Sequence, residues 1–223
     1  SDPATGETKW KEDRDEATGW TTPLVVEHDG RRQVIVNGSN RVRSYDLESG
    51  ELIWQSGGQT VNAIPSPVYD ASTVYVTSGY RGAALQALPI DAKGDITGSK
   101  AIKWEVGRGT PYVPSPLLYE GRLYITQGNT NVLTCLDSRT GKPLFGPERI
   151  EGIQNMYASP VGAAGKVYFT SREGTTVVIK AADEYEVLST NVLGEPIDAS
   201  PALVGRQLFL RSADHLFCIE NGK

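Results

Sequence analysis

A β-propeller is the fold this sequence predicts, and three observations predict it. A unit of short strands recurs five times, each copy opens on Ser/Thr-Pro, and the fuller copies carry an Asp-x-x-Ser/Thr-Gly turn followed by an aromatic residue. The openings are Thr22-Pro23, Ser66-Pro67, Ser115-Pro116, Ser159-Pro160 and Ser200-Pro201, with prolines 44, 49, 44 and 41 residues apart. A period in the forties built from short strands marks propeller blades. The expectation is an all-β propeller of four-stranded antiparallel blades, about five in this chain. It fills one domain over residues 1–223, with blades near 20–56, 61–106, 112–148, 156–190 and 197–223, the last joined by 5–11.

Each copy justifies its strands in order. The first follows the proline: Leu24-Val25-Val26, Val68-Tyr69, Leu117-Leu118-Tyr119, Val161 and Ala202-Leu203-Val204. Proline cannot donate to a ladder and belongs at the head of an edge strand, where it also discourages stray pairing. After a Gly- or Asp-bearing turn comes the second strand: Val34-Ile35-Val36, Val74-Tyr75-Val76, Leu123-Tyr124-Ile125, Val167-Tyr168-Phe169 and Leu208-Phe209-Leu210. These β-branched and aromatic runs are too short for helices. Their unbroken apolar character implies cover on both faces.

The third strand leads into the sharper motif. Ser44-Tyr45-Asp46-Leu47-Glu48-Ser49-Gly50-Glu51-Leu52-Ile53-Trp54 is the fullest copy, Asp137 to Phe145 matches it with Phe for Trp, and Asp2 to Trp10 is the tail of another. The Asp (Asp46, Asp137) is expected to accept backbone N–H groups and fix an Asx turn, and the Gly to take positive φ. The closing aromatics Trp10, Trp54, Trp104 and Phe145 are expected to dock against the neighbouring blade. Two copies are degenerate. The second stretches its turn through residues 91–98 before Trp104, and the fourth keeps Asp183 but lacks the Gly and the Trp. The last copy stops at Glu220-Asn221-Gly222-Lys223, where its outer strand is due, while Gly6-Glu7-Thr8-Lys9-Trp10 is an outer strand without a blade. Completion of the last blade by the first strand follows.

These turns and Ser-Pro openings resemble the tryptophan-docking repeats of the quinoprotein (PQQ-like) β-propellers, across essentially the whole chain. The resemblance implies a superfamily with two branches: quinone-dependent dehydrogenases, and non-enzymatic propellers such as the lipoprotein of the outer-membrane barrel-assembly machinery. It also implies an extracytoplasmic (periplasmic or cell-surface) address. Family rings usually carry seven or eight blades, so closure on five and membership of a larger ring both stand at this point.

Composition narrows the function. Net charge is −5 with acids and bases interspersed, which gives no basic stripe for nucleic acid. No apolar run approaches the roughly 18 residues of a spanning helix. Cys135 and Cys218 occupy equivalent places two blades apart and read as small buried hydrophobes, not a disulfide. His28 and His215 are the only histidines, and neither has a Cys or His nearby in sequence for zinc. No spaced acidic loop offers the six to eight oxygens of a Ca²⁺ site, and no nucleophile–base motif occurs. No cofactor is expected, PQQ with Ca²⁺ being the alternative. A non-enzymatic scaffold that binds another protein or a small ligand is the expected function, with a quinoprotein dehydrogenase or its relic, and carbohydrate or peptide recognition, as alternatives. Arginine and aromatic residues on loops are the natural binding anchors. Trp20, Tyr80, Arg81, Tyr157, Arg172, Asp198 and His215 are therefore the candidate residues, all on the connections into first strands or between second and third strands.

Overall fold

The structure is a computed structural model that describes residues 1–2, 4–16 and 18–220. Pro3 of the first motif and residues 221–223 of the last expected blade lie outside the described residues. The protein is an all-β propeller, and its chain divides into two compact units, Ser1–Gly107 and Arg108–Lys223.

The first unit holds two blades. One consists of β1 (Leu24–His28), β2 (Arg31–Asn37), β3 (Arg41–Asp46) and β4 (Leu52–Gly57), and the other of β5 (Val68–Tyr69), β6 (Thr73–Ser78), β7 (Ala84–Pro89) and β9 (Trp104–Val106). Each is antiparallel in sequence order. The stretched turn of the second copy does something the repeat did not foretell. Its β8 (Gly94–Asp95) leaves its own blade and pairs in parallel with β4, adding a fifth strand to the first sheet. Gln55 Nε2 donates to Asp95 Oδ2 at 2.9 Å and Gly57 N–H to Thr97 Oγ1 at 2.8 Å, which fastens the insertion to that edge.

The second unit holds β10 (Leu117–Tyr119), β11 (Arg122–Thr126), β12 (Val132–Asp137) and β13 (Pro143–Arg149) in one blade. A further blade is β14 (Val161–Ala163), β15 (Lys166–Thr170), β16 (Thr175–Lys180) and β17 (Val187–Val192), and a three-stranded sheet follows: β18 (Ala202–Val204), β19 (Gln207–Arg211), β20 (Leu216–Glu220).

The register shows why the sequence builds these blades. Leu24, Ile35, Ser44 and Trp54 stand opposite one another across β1 to β4 and so share a face. Trp54 is fully buried in a cluster with Ile35, Val74, Val76 and Leu88, which seals the two blades of the first unit together. Phe145 holds the equivalent register position opposite Cys135 and packs with Val167, Phe169 and Ile179 of the following blade. Trp104 sits opposite Ala87, 5.8 Å from the Tyr75 ring centroid.

The turns between third and fourth strands are held locally. Asp46 Oδ1 accepts the N–H groups of Glu48 and Ser49 at 3.0 and 2.9 Å, Gly50 N–H donates to the Asp46 carbonyl at 2.9 Å, and Gly50 has φ +79°. Asp137 accepts both N–H and Oγ1–H of Thr140 at 2.7 Å, with Gly141 at φ +69°. The Trp10 ring lies over the Gly50 turn: a Cβ there would fall 2.7 Å from the indole, and Trp10 Nε1 donates to the Leu47 carbonyl at 2.9 Å.

Two readings need correction. Asp183 does not hold the place of Asp46 and Asp137. Lys180 stands there, opposite Lys166, while Asp183 reaches back to Arg122 of the preceding blade at 2.6–2.8 Å. Cys135 is buried, but Cys218 is exposed, because no fourth strand covers β20 among the described residues.

The serines of three of the Ser/Thr-Pro openings, Ser66, Ser159 and Ser200, carry a role that the sequence left unassigned. Thr22 N–H donates to Ser66 Oγ at 3.0 Å in the first unit. In the second, Ser115 N–H donates to Ser159 Oγ and Ser159 N–H to Ser200 Oγ, each at 2.9 Å. At these three junctions the hydroxyl before the proline ties its edge to the preceding blade.

Candidate functional site

The connections that enter first strands and those joining second to third strands carry the candidate residues of both units. In the second unit three such segments are zipped together by backbone bonds. Leu193 N–H donates to the Gly174 carbonyl at 2.9 Å, Ile197 N–H to the Arg172 carbonyl at 3.2 Å, and Ala213 N–H to the Pro196 carbonyl at 2.9 Å. Gly174 makes the approach feasible: at φ +84°, a Cβ would stand 2.1 Å from the Glu195 carbonyl oxygen.

This frame brings Tyr157, Arg172 and Asp198 together. The Arg172 guanidinium lies 4.0 Å from the Tyr157 ring centroid and grips Asp198 with two bonds, at 2.6 and 3.2 Å. The Asp198 carboxylate stabilises the guanidinium charge and pushes its pKa up. A planar cation stacked on a ring and forked onto a carboxylate is fixed in one orientation, as recognition of a planar or anionic group requires. Arg172 N–H donates to the Asn155 carbonyl at 2.9 Å, and Asn155 Oδ1 is a buried acceptor with no hydrogen-bond partner among the described residues.

His215 takes other partners. Its Nδ1 lies 2.8 Å from Glu195 Oε1, and Ser212 Oγ–H donates to Glu195 Oε2 at 2.5 Å. Those two bonds, Ser212's the larger, hold the Glu195 carboxyl below its ordinary value. Here the carboxylate sits between hydroxyl and imidazole, so the hydroxyl meets the carboxylate and not the imidazole, unlike the order of a Ser-His-Asp relay. Sequence reading missed Glu195, Ser212 and Asn155, whose types are common on loops and which only the backbone zipper gathers.

In the first unit, Trp20 is 67% exposed, with Nε1–H donating to Asn62 Oδ1 at 2.8 Å and backbone N–H to the Ala63 carbonyl at 3.0 Å. Arg81 lies 5.2 Å from the Tyr80 ring centroid, at φ +51°. Sequence reading also passed over the segment before Trp20. There Glu16, 6% exposed, pairs with the nearly buried Arg43, and Asp15 Oδ1 meets Arg43 Nη2 at 2.5 Å. Ser39 Oγ–H donates to the Thr18 carbonyl at 2.7 Å, so this strap is pinned along the same loops.

Among the described residues, no group of three or more His, Cys, Asp or Glu is placed to hold a metal ion. No helix among the described residues is long and apolar enough to cross a membrane.

Repeated four-stranded blades, Asp-x-x-Ser/Thr-Gly turns and aromatic closing residues define a β-propeller of PQQ-like repeats. The chain belongs to the family described as outer membrane protein assembly factor BamB, whose model matches residues 1–222. Among solved structures it is similar to BamB from Moraxella catarrhalis, at 15% identity over 87% of this chain and 70% of that one, with a TM-score of 0.46. It is also similar to the computationally designed Ika8 protein, at 12% identity over 88% of this chain and 57% of that one, with a TM-score of 0.65, a likeness of fold alone. Among curated proteins none matches the chain.

Proposed function

We propose that this protein is a non-enzymatic scaffold that holds another protein, or a ligand presented by one, on the loop ends of its blades, outside the cytoplasm. The observation that carries this reading is Arg172 locked between Tyr157 and Asp198 on a frame of zipped loops, a rigid aromatic and cationic anchor of the kind that dominates interface energetics. The family's description as an assembly factor supports a protein partner and an extracytoplasmic setting. One domain over residues 1–223, closed on five blades, belongs to the same proposal, as do the docking role of the closing aromatics and the lack of a required cofactor.

Peptide-array binding compared between wild type and Arg172→Ala tests the reading. The variant should lose most of the wild-type signal with its melting temperature unchanged. Equal signals would remove Arg172 and its neighbours as the site. Saturable binding of pyrroloquinoline quinone in the presence of Ca²⁺ would overturn the cofactor-free part. A solution mass and scattering profile other than those of a compact monomer would overturn closure on five blades.

A further inference from the structure

Two junctions between blades are filled by an aromatic side chain, and a third holds a hole in the corresponding place. Trp54, opposite Ser44, and Phe145, opposite Cys135, occupy the same position of the outer strand. Each packs on the second and third strands of the following blade: Trp54 on Val74, Val76 and Leu88, and Phe145 on Val167, Phe169 and Ile179. In the next blade that position, opposite Val178, is Ser189. The residues that an aromatic would meet there are Leu208, Leu210 and Ile219, equivalent by register to Val74, Val76 and Leu88. Together with Tyr168, Val178 and Ser189 they line a pocket of about 460 Å³.

The pocket is thus the seat of an absent aromatic side chain. Its walls stand at the register positions that elsewhere bury tryptophan or phenylalanine, and its volume lies within the 300–1,000 Å³ typical of ligand sites. Two cations, Lys166 and Arg206, also stand in its lining. Both are exposed, and neither makes an ion pair or side-chain hydrogen bond among the described residues. Asn191, on the same face, donates to Ser189 Oγ at 3.2 Å and adds amide character to the wall. An apolar slot edged by uncompensated positive charge selects a flat ring that carries an anion.

We propose that this junction is a binding site for an aromatic carboxylate of about indole size. The ring takes the place left by Ser189, and the carboxylate is held by Arg206 and Lys166. None of these residues belongs to the loop-end site, so the two readings stand or fall separately.

Calorimetric titration of the protein with N-acetyl-tryptophan, and with N-acetyl-tryptophanamide as the uncharged probe, tests it. Saturable binding of the acid is expected, with the amide weaker by about tenfold, the effect of one lost charge-assisted contact. Ser189→Trp should abolish binding by filling the seat from within. Arg206→Gln, a change at an exposed position that leaves the fold intact, should weaken the acid by about tenfold and leave the amide as it was. Absence of saturable binding by either probe overturns the site, as does binding unchanged in a folded Ser189→Trp variant. Equal affinity for acid and amide, unaltered by Arg206→Gln, overturns the assignment of a carboxylate.

Discussion

Truncating Trp54 to alanine tests the packing logic on which the blade description rests. The side chain is fully buried between the two blades of the first unit. A buried tryptophan removes about 150–250 Å² from water, which at about 25 cal/mol per Å² amounts to about 4–6 kcal/mol. One term works the other way. Trp54 Nε1 is buried without a hydrogen-bond partner among the described residues, and deleting an unmet donor returns about 1–3 kcal/mol. The cavity left behind adds part of that again, so Trp54→Ala should cost about 3–5 kcal/mol. For a chain of this size, that lowers the melting temperature by about 6–20 °C. Trp54→Phe reproduces the Phe145 arrangement and removes the orphan donor, so its cost should stay below about 1.5 kcal/mol. Urea unfolding followed by circular dichroism reads both values from midpoint and slope. A loss below about 1 kcal/mol for alanine, or equal losses for the two variants, would refute burial at the blade junction as the source of stability.

Three other outcomes follow from the turns and loops. Asp46 and Asp137 are held below the ordinary carboxylate value, chiefly by Arg31 and by Thr140 respectively. Their contribution is therefore complete above about pH 4 and is lost as the pH falls through the lowered folded values. The Asp46→Asn/Asp137→Asn double variant should lose less stability than wild type between about pH 4 and pH 2, measured as the shift in urea midpoint; parallel curves would contradict this. Gly174→Ala meets both positive φ and the Glu195 carbonyl, so it should cost at least about 2 kcal/mol, and thermal melts unchanged from wild type would show that the loops yield freely. Ser159→Ala removes the Oγ that accepts Ser115 N–H. A loss of about 0.5–1.5 kcal/mol is expected by denaturant titration, and none if the inter-blade link contributes nothing.

How much of this was legible in the sequence depends on whether the deciding interaction is local. Strand positions followed from short apolar runs between turn residues, because pairing with the next strand is a near-neighbour matter in every blade. The Asp46 and Asp137 turns are contained within five residues, and their backbone geometry depends on little else. The insertion at 91–98 was visible as extra length, but its pairing with β4 was not, since the acceptor edge lies some forty residues back in the chain. Asp183 misled for a related reason. A carboxylate near the right place suggests the motif, whereas only the pairing of Lys180 with Lys166 fixes the register. The loop site was half legible. Tyr157, Arg172 and Asp198 were chosen one by one as loop aromatics, cations and entry residues, and their convergence comes from backbone bonds among three connections. Glu195 and Ser212 had no sequence signal, because nothing in one sequence separates a loop glutamate that meets a histidine from one that meets water.

The same repeat that makes the fold legible also makes its exceptions informative. In an array of equivalent positions, a departure from the pattern has a measurable consequence at a known place. Serine at 189 can be judged against Trp54 and Phe145 without an alignment of homologues, because the chain supplies its own comparisons. A repeat that loses its closing aromatic could collapse its junction or refill it with larger neighbours. This one is refilled only in part: Val178 is larger than Ser44 and Cys135, and Leu208 larger than Val74 and Val167, yet the space stays open. Open apolar space forfeits dispersion contacts and is costly to keep. Local rules are broken at a cost chiefly where a site needs it, and Lys166 and Arg206 beside the vacancy indicate what this site is built to receive.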